Sequence, residues 1–168
     1  MKIVLSLLIV GLPLFLSAQT KDVKVREARV EFLFVKDKTA GTLTGVDVKM
    51  NSDVNDLSGG TISGSVKVAT LSTKNKGRDA HLLSEDFFNS AKYPEMSFVC
   101  SSIYQEGSAF KAKGQLTIKG VSKEVIFDLY NMIDVLEFKT TIYSLDFGVS
   151  PKKERAKSEV QIVVYVPI

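Results

Sequence analysis

Cysteine, histidine and tryptophan are scarce: one, one and none among 168 residues. The lone cysteine, Cys100, excludes an internal disulfide, so the fold depends on its core or on a closed sheet. With only one histidine in addition, a zinc site, which draws mainly on Cys and His ligands, is close to excluded as well. Charge of one sign is also missing. Lysine and arginine number 22 against 19 acidic residues, far short of the basic excess that marks a nucleic-acid surface. No nucleic-acid partner is expected.

Long hydrophobic runs are confined to one place. Lys2 is followed by an almost unbroken apolar stretch from Ile3 to Leu16, and Ser17-Ala18 offers small residues for cleavage. This is the pattern of a secretory signal peptide over residues 1–18, with cleavage expected at Ala18/Gln19. The run is shorter than the ~20 residues that span a bilayer, and no cysteine stands near it to carry a lipid anchor. No comparable run follows. The mature chain is therefore expected to be one domain, residues 19–168, periplasmic or secreted and without stable membrane insertion.

That mature chain alternates apolar and polar residues with period two, the signal of half-buried strands. Val30, Phe32 and Phe34 begin the series, although Leu33 and Val35 make this strand apolar on both sides. Val46, Val48 and Met50 follow, then Ile62, Gly64, Val66 and Val68, then Met96, Phe98 and Cys100. Phe110, Ala112, Gly114, Leu116 and Ile118 alternate with Lys111, Lys113, Gln115, Thr117 and Lys119. Val125, Phe127 and Leu129 come next, then Leu136, Phe138, Thr140 and Ile142, and lastly Val160 to Val166. Turn residues separate these segments at Asn55-Asp56, Gly59-Gly60, Glu106-Gly107-Ser108, Gly120 and Asn131 to Asp134. Eight short-connected strands with one apolar face each predict an all-β, antiparallel, up-and-down barrel, with a sandwich as the rival.

One stretch, Thr73 to Tyr93, breaks the alternation. Ser84 suits a helix N-cap, with Glu85 and Asp86 in the first turn and Pro94 as the stop. A short helical segment at about 78–92 is expected. Its apolar residues Leu82, Leu83, Phe87 and Phe88 need cover, which one mouth of the barrel would supply.

The same stretch carries Arg78-Asp79-Ala80-His81-Leu82-Leu83-Ser84-Glu85-Asp86-Phe87-Phe88, then Lys92-Tyr93-Pro94 and Phe98. A second run reads Gly114-Gln115-Leu116-Thr117-Ile118-Lys119-Gly120-Val121-Ser122-Lys123. Together with Phe32, Phe34, Gly45 and Asp146-Phe147-Gly148-Val149, these motifs resemble the YceI-like family of exported lipid-binding proteins. The resemblance implies an eight-stranded lipocalin-like barrel whose apolar lumen encloses an isoprenoid chain, either a polyprenyl lipid or a quinone tail. It departs from the family pattern at Lys36-Asp37 and Leu145, near strand ends where a head group would lie.

On this basis the lumen candidates are Phe32, Phe34, Val66, Val68, Phe98, Phe110, Ala112, Gly114, Leu116, Phe127, Leu129, Phe138 and Ile142. Small residues at Gly64, Ala112, Gly114 and Thr140 are where space could remain. Periodicity alone leaves a filled barrel and a hollow one equally open, and the resemblance favours the hollow one. Arg78, Asp79, His81, Leu82, Asp86 and Phe87 form the mouth motif. The first expectation for its polar members is that they tie the loop to the barrel rim, and the second is head-group contact. A catalytic use of His81 with Asp79, Ser84 and Asp86 matches no known nucleophile spacing.

The kinase-like triplet Asp146-Phe147-Gly148 lacks the companion loops and reads as a turn. Lys152, Lys153, Arg155 and Lys157 read as a solvated loop, or else as a contact for anionic lipid. Cys100 reads as a small buried hydrophobe. The function expected is a non-enzymatic carrier or reservoir for an isoprenoid or other long-chain lipid. No cofactor is required, although a bound isoprenoid quinone would itself be one. The alternatives are a filled structural or interaction barrel, and a lipid-modifying enzyme.

Overall fold

A computed structural model describes residues 21–22, 25, 27–52, 56–149 and 153–168. The expected signal peptide and Lys152 lie outside these. Among the described residues nine strands share one sheet: β1 (Lys21–Asp22), β2 (Ala28–Phe34), β3 (Thr39–Ser52), β4 (Thr61–Lys67), β5 (Glu95–Glu106), β6 (Ala109–Ile118), β7 (Val121–Met132), β8 (Val135–Tyr143) and β9 (Glu159–Pro167). From β2 to β9 each strand pairs antiparallel with the next, and β9 returns to pair with β2 along Arg29↔Tyr165 to Phe34↔Val160. The sheet thus closes on itself as an eight-stranded up-and-down barrel, and the sandwich is excluded. β1 adds two residues alongside the end of β3.

Alternation does what the sequence predicts. Along β6, Ala112, Gly114, Leu116 and Ile118 are buried, while Lys111 and Lys113 turn outward to pair with Asp128 and Glu124 on β7. These cross-strand pairs are solvent-screened and contribute little. The apolar face is what holds the sheet, at roughly 25 cal/mol per Å² removed from water.

One end of the barrel, called upper here, carries the β4–β5 excursion. Its helix, α1 (Lys76–Leu83), starts earlier than the sequence suggests. Asn75 is the N-cap, its side chain accepting from the Arg78 N–H at 3.0 Å. Ser84 is the C-cap, not the N-cap: its hydroxyl donates 2.7 Å back to the His81 carbonyl. Glu85 to Phe88 form a turn, with the Phe88 N–H donating to the Leu82 carbonyl at 3.0 Å. A serine satisfies carbonyls at a helix end as well as amides at a start, and the sequence does not separate the two roles. Leu82 and Phe88 are buried in the excursion, and Leu83 and Phe87 half-buried. The segment therefore covers the upper mouth as expected.

At that same end Lys119 (φ 49°) and Gly120 (φ 74°) make the tight β6–β7 turn, a geometry that favours glycine. A Cβ on Gly120 would come within 2.6 Å of the Tyr93 ring. This glycine serves the turn and the docking of the excursion together.

Buried side chains fall into two groups. The upper one joins Phe32, Leu71, Leu82, Phe88, Phe147 and Val149 under α1. The lower one joins Met50, Leu57, Ala112, Leu129, Leu136 and Val166. Val68 belongs to the upper group but sits in a 3-10 turn (Val68–Thr70) past the end of β4, so it is not a strand residue.

Candidate ligand cavity

Between the two groups the barrel is hollow. A cavity of ≈ 120 Å³ runs along β2, β3, β4, β5, β6 and β9, walled by Val30, Val46, Val48, Phe98, Leu116 and Val164 among others. A second, of ≈ 60 Å³, lies under the excursion between Phe32, Phe34, Leu71, Phe88, Phe147 and Val149. Five residues border both: Val30, Leu43, Met96, Ile118 and Ile162. They form an apolar waist. Among the described residues no ionisable side chain lines either space, and serines at 63, 65, 97 and 144 are the polar contributors.

The hollowness also shows in how the inward residues are covered. Val30, Val46, Val48, Met96, Phe98, Ile162 and Val164 are only half-buried, although each borders the barrel interior. In a filled barrel such side chains would be covered on all sides.

Of the lumen candidates, Val66, Phe98, Leu116, Phe127 and Phe138 line the larger cavity, and Phe32, Phe34 and Ile142 the smaller. Phe110, Ala112, Gly114, Leu129 and Val68 line neither. For Ala112 and Gly114 the reason is a size match across strands. Ala112 faces Phe127 in register, and a Cβ at Gly114 would fall against the Val99 carbonyl oxygen, with Phe98 Cζ at 2.7 Å and Cys100 Cα at 2.8 Å. The room left by these two small residues is taken by rings and, at Gly114, by the β5 backbone. Missed by the sequence were Val30, Leu43, Val46, Val48, Met96, Ile162 and Val164 as wall residues. Their alternation was visible, but nothing local marks which inward position meets empty space.

The mouth motif is structural in a different sense from the one expected. Asp79 accepts from the Thr73 N–H at 2.8 Å and from the Thr73 hydroxyl. Arg78 donates to Thr73 Oγ1 at 2.8 Å and to the Thr73 carbonyl at 2.9 Å. Both residues fold the excursion upon itself around buried Thr73; neither ties it to the rim. Its attachment to the barrel comes from Ser72, which exchanges two 2.9 Å backbone hydrogen bonds with Thr42 on β3. Lys119 Nζ adds bonds to the carbonyls of Glu85 (3.3 Å) and Gly148 (3.1 Å). His81 and Asp86 are exposed, and the His81 ring packs edge-on against Phe87 at 4.8 Å. With Asp79 committed to Thr73 and Ser84 to a carbonyl, these groups do not assemble as a hydroxyl–imidazole–carboxylate relay.

Beside the upper mouth, Arg155 grips Asp146 with two nitrogens, at 2.9 and 2.7 Å, and lies 3.7 Å over the Tyr143 ring. Those guanidinium bonds hold the Asp146 carboxyl below the usual carboxylate range. Lys157 pairs with Glu154 at 2.6 Å. Two members of the basic run are thus engaged within their own loop. Cys100, half-buried at a bulge in β5, donates to the carbonyls of Ser102 and Lys113, and burial pushes its thiol up. Among the described residues no group of metal-ligating side chains occurs, and no helix is long and apolar enough to cross a membrane.

The same barrel occurs in solved structures. BcnA of Burkholderia cenocepacia superposes with a TM-score of 0.70 at 21% identity, covering 83% of this chain and 94% of that one. The YceI protein of Campylobacter jejuni gives 0.66 at 23%, covering 77% and 84%. A polyisoprenoid binding domain from Saccharophagus degradans, implicated in plant cell wall breakdown, gives 0.57 at 9%, covering 84% and 94%. At these identities the likeness is one of fold. Among curated proteins, a UPF0312 protein of Photorhabdus laumondii is 35% identical over 88 residues, 52% of this chain and 46% of its own length. One of Staphylococcus aureus is 35% identical over 103 residues, 61% of this chain and 57% of its own. The chain thus spans about half the length of these relatives. The profile of the YceI-like domain matches residues 19–167 of this sequence, and the chain belongs to that family.

Proposed function

We propose that this protein is an exported, non-enzymatic carrier or reservoir for an isoprenoid lipid, whose apolar chain enters the barrel. The observation that carries the reading is the pair of adjoining cavities, walled by aliphatic and aromatic side chains with no ionisable group. Such a space rewards hydrocarbon alone: each methylene taken from water contributes ~0.8 kcal/mol. A buried carboxylate or ammonium would find no partner there. Family membership, and a fold neighbour named as a polyisoprenoid binding domain, agree with this chemistry. Binding of this kind requires no cofactor, and a quinone tail would be held as cargo. The apolar N-terminal run with its small residues at Ser17-Ala18 supports export to the periplasm or beyond.

The test is mass spectrometry of an organic extract of the protein purified from its own host. A stoichiometric polyprenyl or quinone species is expected. Protein that emerges empty and fails to take up isoprenoid alcohols would instead be a structural barrel. Intact-mass analysis of the exported form should show loss of residues 1–18, and a retained Met1 would overturn the export reading.

A further inference from the structure

Three phenyl rings cross the barrel beneath the larger cavity. Phe98 on β5 meets Phe127 on β7 edge-to-face at 4.9 Å, and Phe127 meets Phe138 on β8 at 6.5 Å. All three line the cavity on the β5 to β8 side, while Ile62 and Val166 line it on β4 and β9. On their far side Ala112 and Leu136 are 0% exposed and Leu129 2%, and none of the three lines either cavity. The rings are held where they are. Phe127 and Phe138 are buried, and Phe98 lies in the seat left by Gly114, where a Cβ would displace it. Phe98 is the least covered of the three, half-buried and in contact with both side-chain groups.

We infer that this aromatic floor sets the depth to which a chain can enter, and that Phe98 is the residue that determines the limit. The space above the floor is small. A cavity of about 150 Å³ holds one benzene, so ≈ 120 Å³ and ≈ 60 Å³ together take a neutral segment of about seven carbons, one isoprene unit and part of a second. The remainder of a longer lipid, with any polar head, stays outside. This inference rests on the lipid-binding reading above and adds to it a length cut-off and the side chain that makes it.

The experiment uses the delipidated protein and a series of isoprenoid alcohols of about one to four isoprene units, which displace a fluorescent apolar probe. Affinity should rise about tenfold or more from one unit to two and by less than about threefold for each further unit. In Phe98→Ala the rise should extend to the third unit. Phe98→Leu, which keeps an apolar side chain over Gly114 and serves if the alanine variant does not fold, should move the cut-off in the same direction. Wild-type affinity that continues to climb through the fourth unit would overturn the floor. So would an unshifted cut-off in folded Phe98 variants. Failure of every alcohol to bind, with the protein still folded by its melting curve, would overturn the lipid reading and this inference with it.

Discussion

The upper and lower halves of this barrel are built from the same kinds of residue on the same strands, yet one is hollow and the other filled. Along β6, Leu116 faces cavity while Ala112, four residues away, faces side chains only. Along β8, Ile142 borders the smaller cavity, while Leu136 is 0% exposed and borders neither. The difference lies in what reaches across. Below the waist, the β3–β4 connection brings in Leu57, and three rings stack inward. Above it, the α1 excursion closes the mouth from outside and sends Leu71 and Phe88 only to the edge of the second cavity. Closure of a barrel does not by itself decide how much of it is occupied.

Truncation gives the largest contrast between the halves. Leu136→Ala leaves a void in packed surroundings and should cost ~2–5 kcal/mol in urea unfolding. Met96→Ala removes a side chain that already borders empty space, and should cost about 1 kcal/mol or less by the same measurement. Equal losses would mean that the upper half is packed as tightly as the lower.

Enlargement should reverse the order. Ala112→Phe overpacks the lower group and should destabilise by ~1–3 kcal/mol. Val48→Leu adds one methylene toward the larger cavity, and should be neutral or stabilising by up to ~1 kcal/mol. Thermal melts of the two variants check this. An Ala112→Phe protein as stable as wild type would show that the lower half can yield room.

The smallest effect concerns the rim of the upper mouth. Asp146 has its pKa lowered by Arg155, so the stabilisation from this pair is present above the unfolded carboxylate pKa. It is lost as pH falls through the folded value. Denaturation midpoints measured from neutral to acid pH should therefore fall more in the wild type than in Asp146→Asn. The difference will be small, because the pair is solvent-screened. Parallel curves would show that Asp146 takes no part in acid sensitivity.

The strands and, beyond the first of them, their facing were legible because period-two alternation is a local property of a chain with one buried side. The excursion was legible as an interruption, and its apolar residues predicted that it would cover a mouth. Its helix was displaced by several residues in the reading because Asn75 and Ser84 can each cap either end, and Ser84 was the more conspicuous. Arg78 and Asp79 were recognised as structural, but their shared partner Thr73 gives no signal in sequence beyond being a buried threonine. The wall of the cavity was half visible: Phe98, Leu116, Phe127 and Phe138 were foreseen, while Val46, Val48 and Val164 were passed over as ordinary strand residues.

What the sequence determined alone is the antiparallel strands and their inward set, since both follow from spacing along the chain; closure is seen only in the pairing of β9 with β2. Tertiary structure decided the volume inside. Gly114 and Ala112 suggested free space when read along β6, yet the β5 backbone at Val99 and the rings of Phe98 and Phe127, from the strands on either side, occupy it. Whether a small residue leaves a cavity depends on the side chain that arrives opposite it. That side chain is set by strand register and barrel closure, which no single segment encodes.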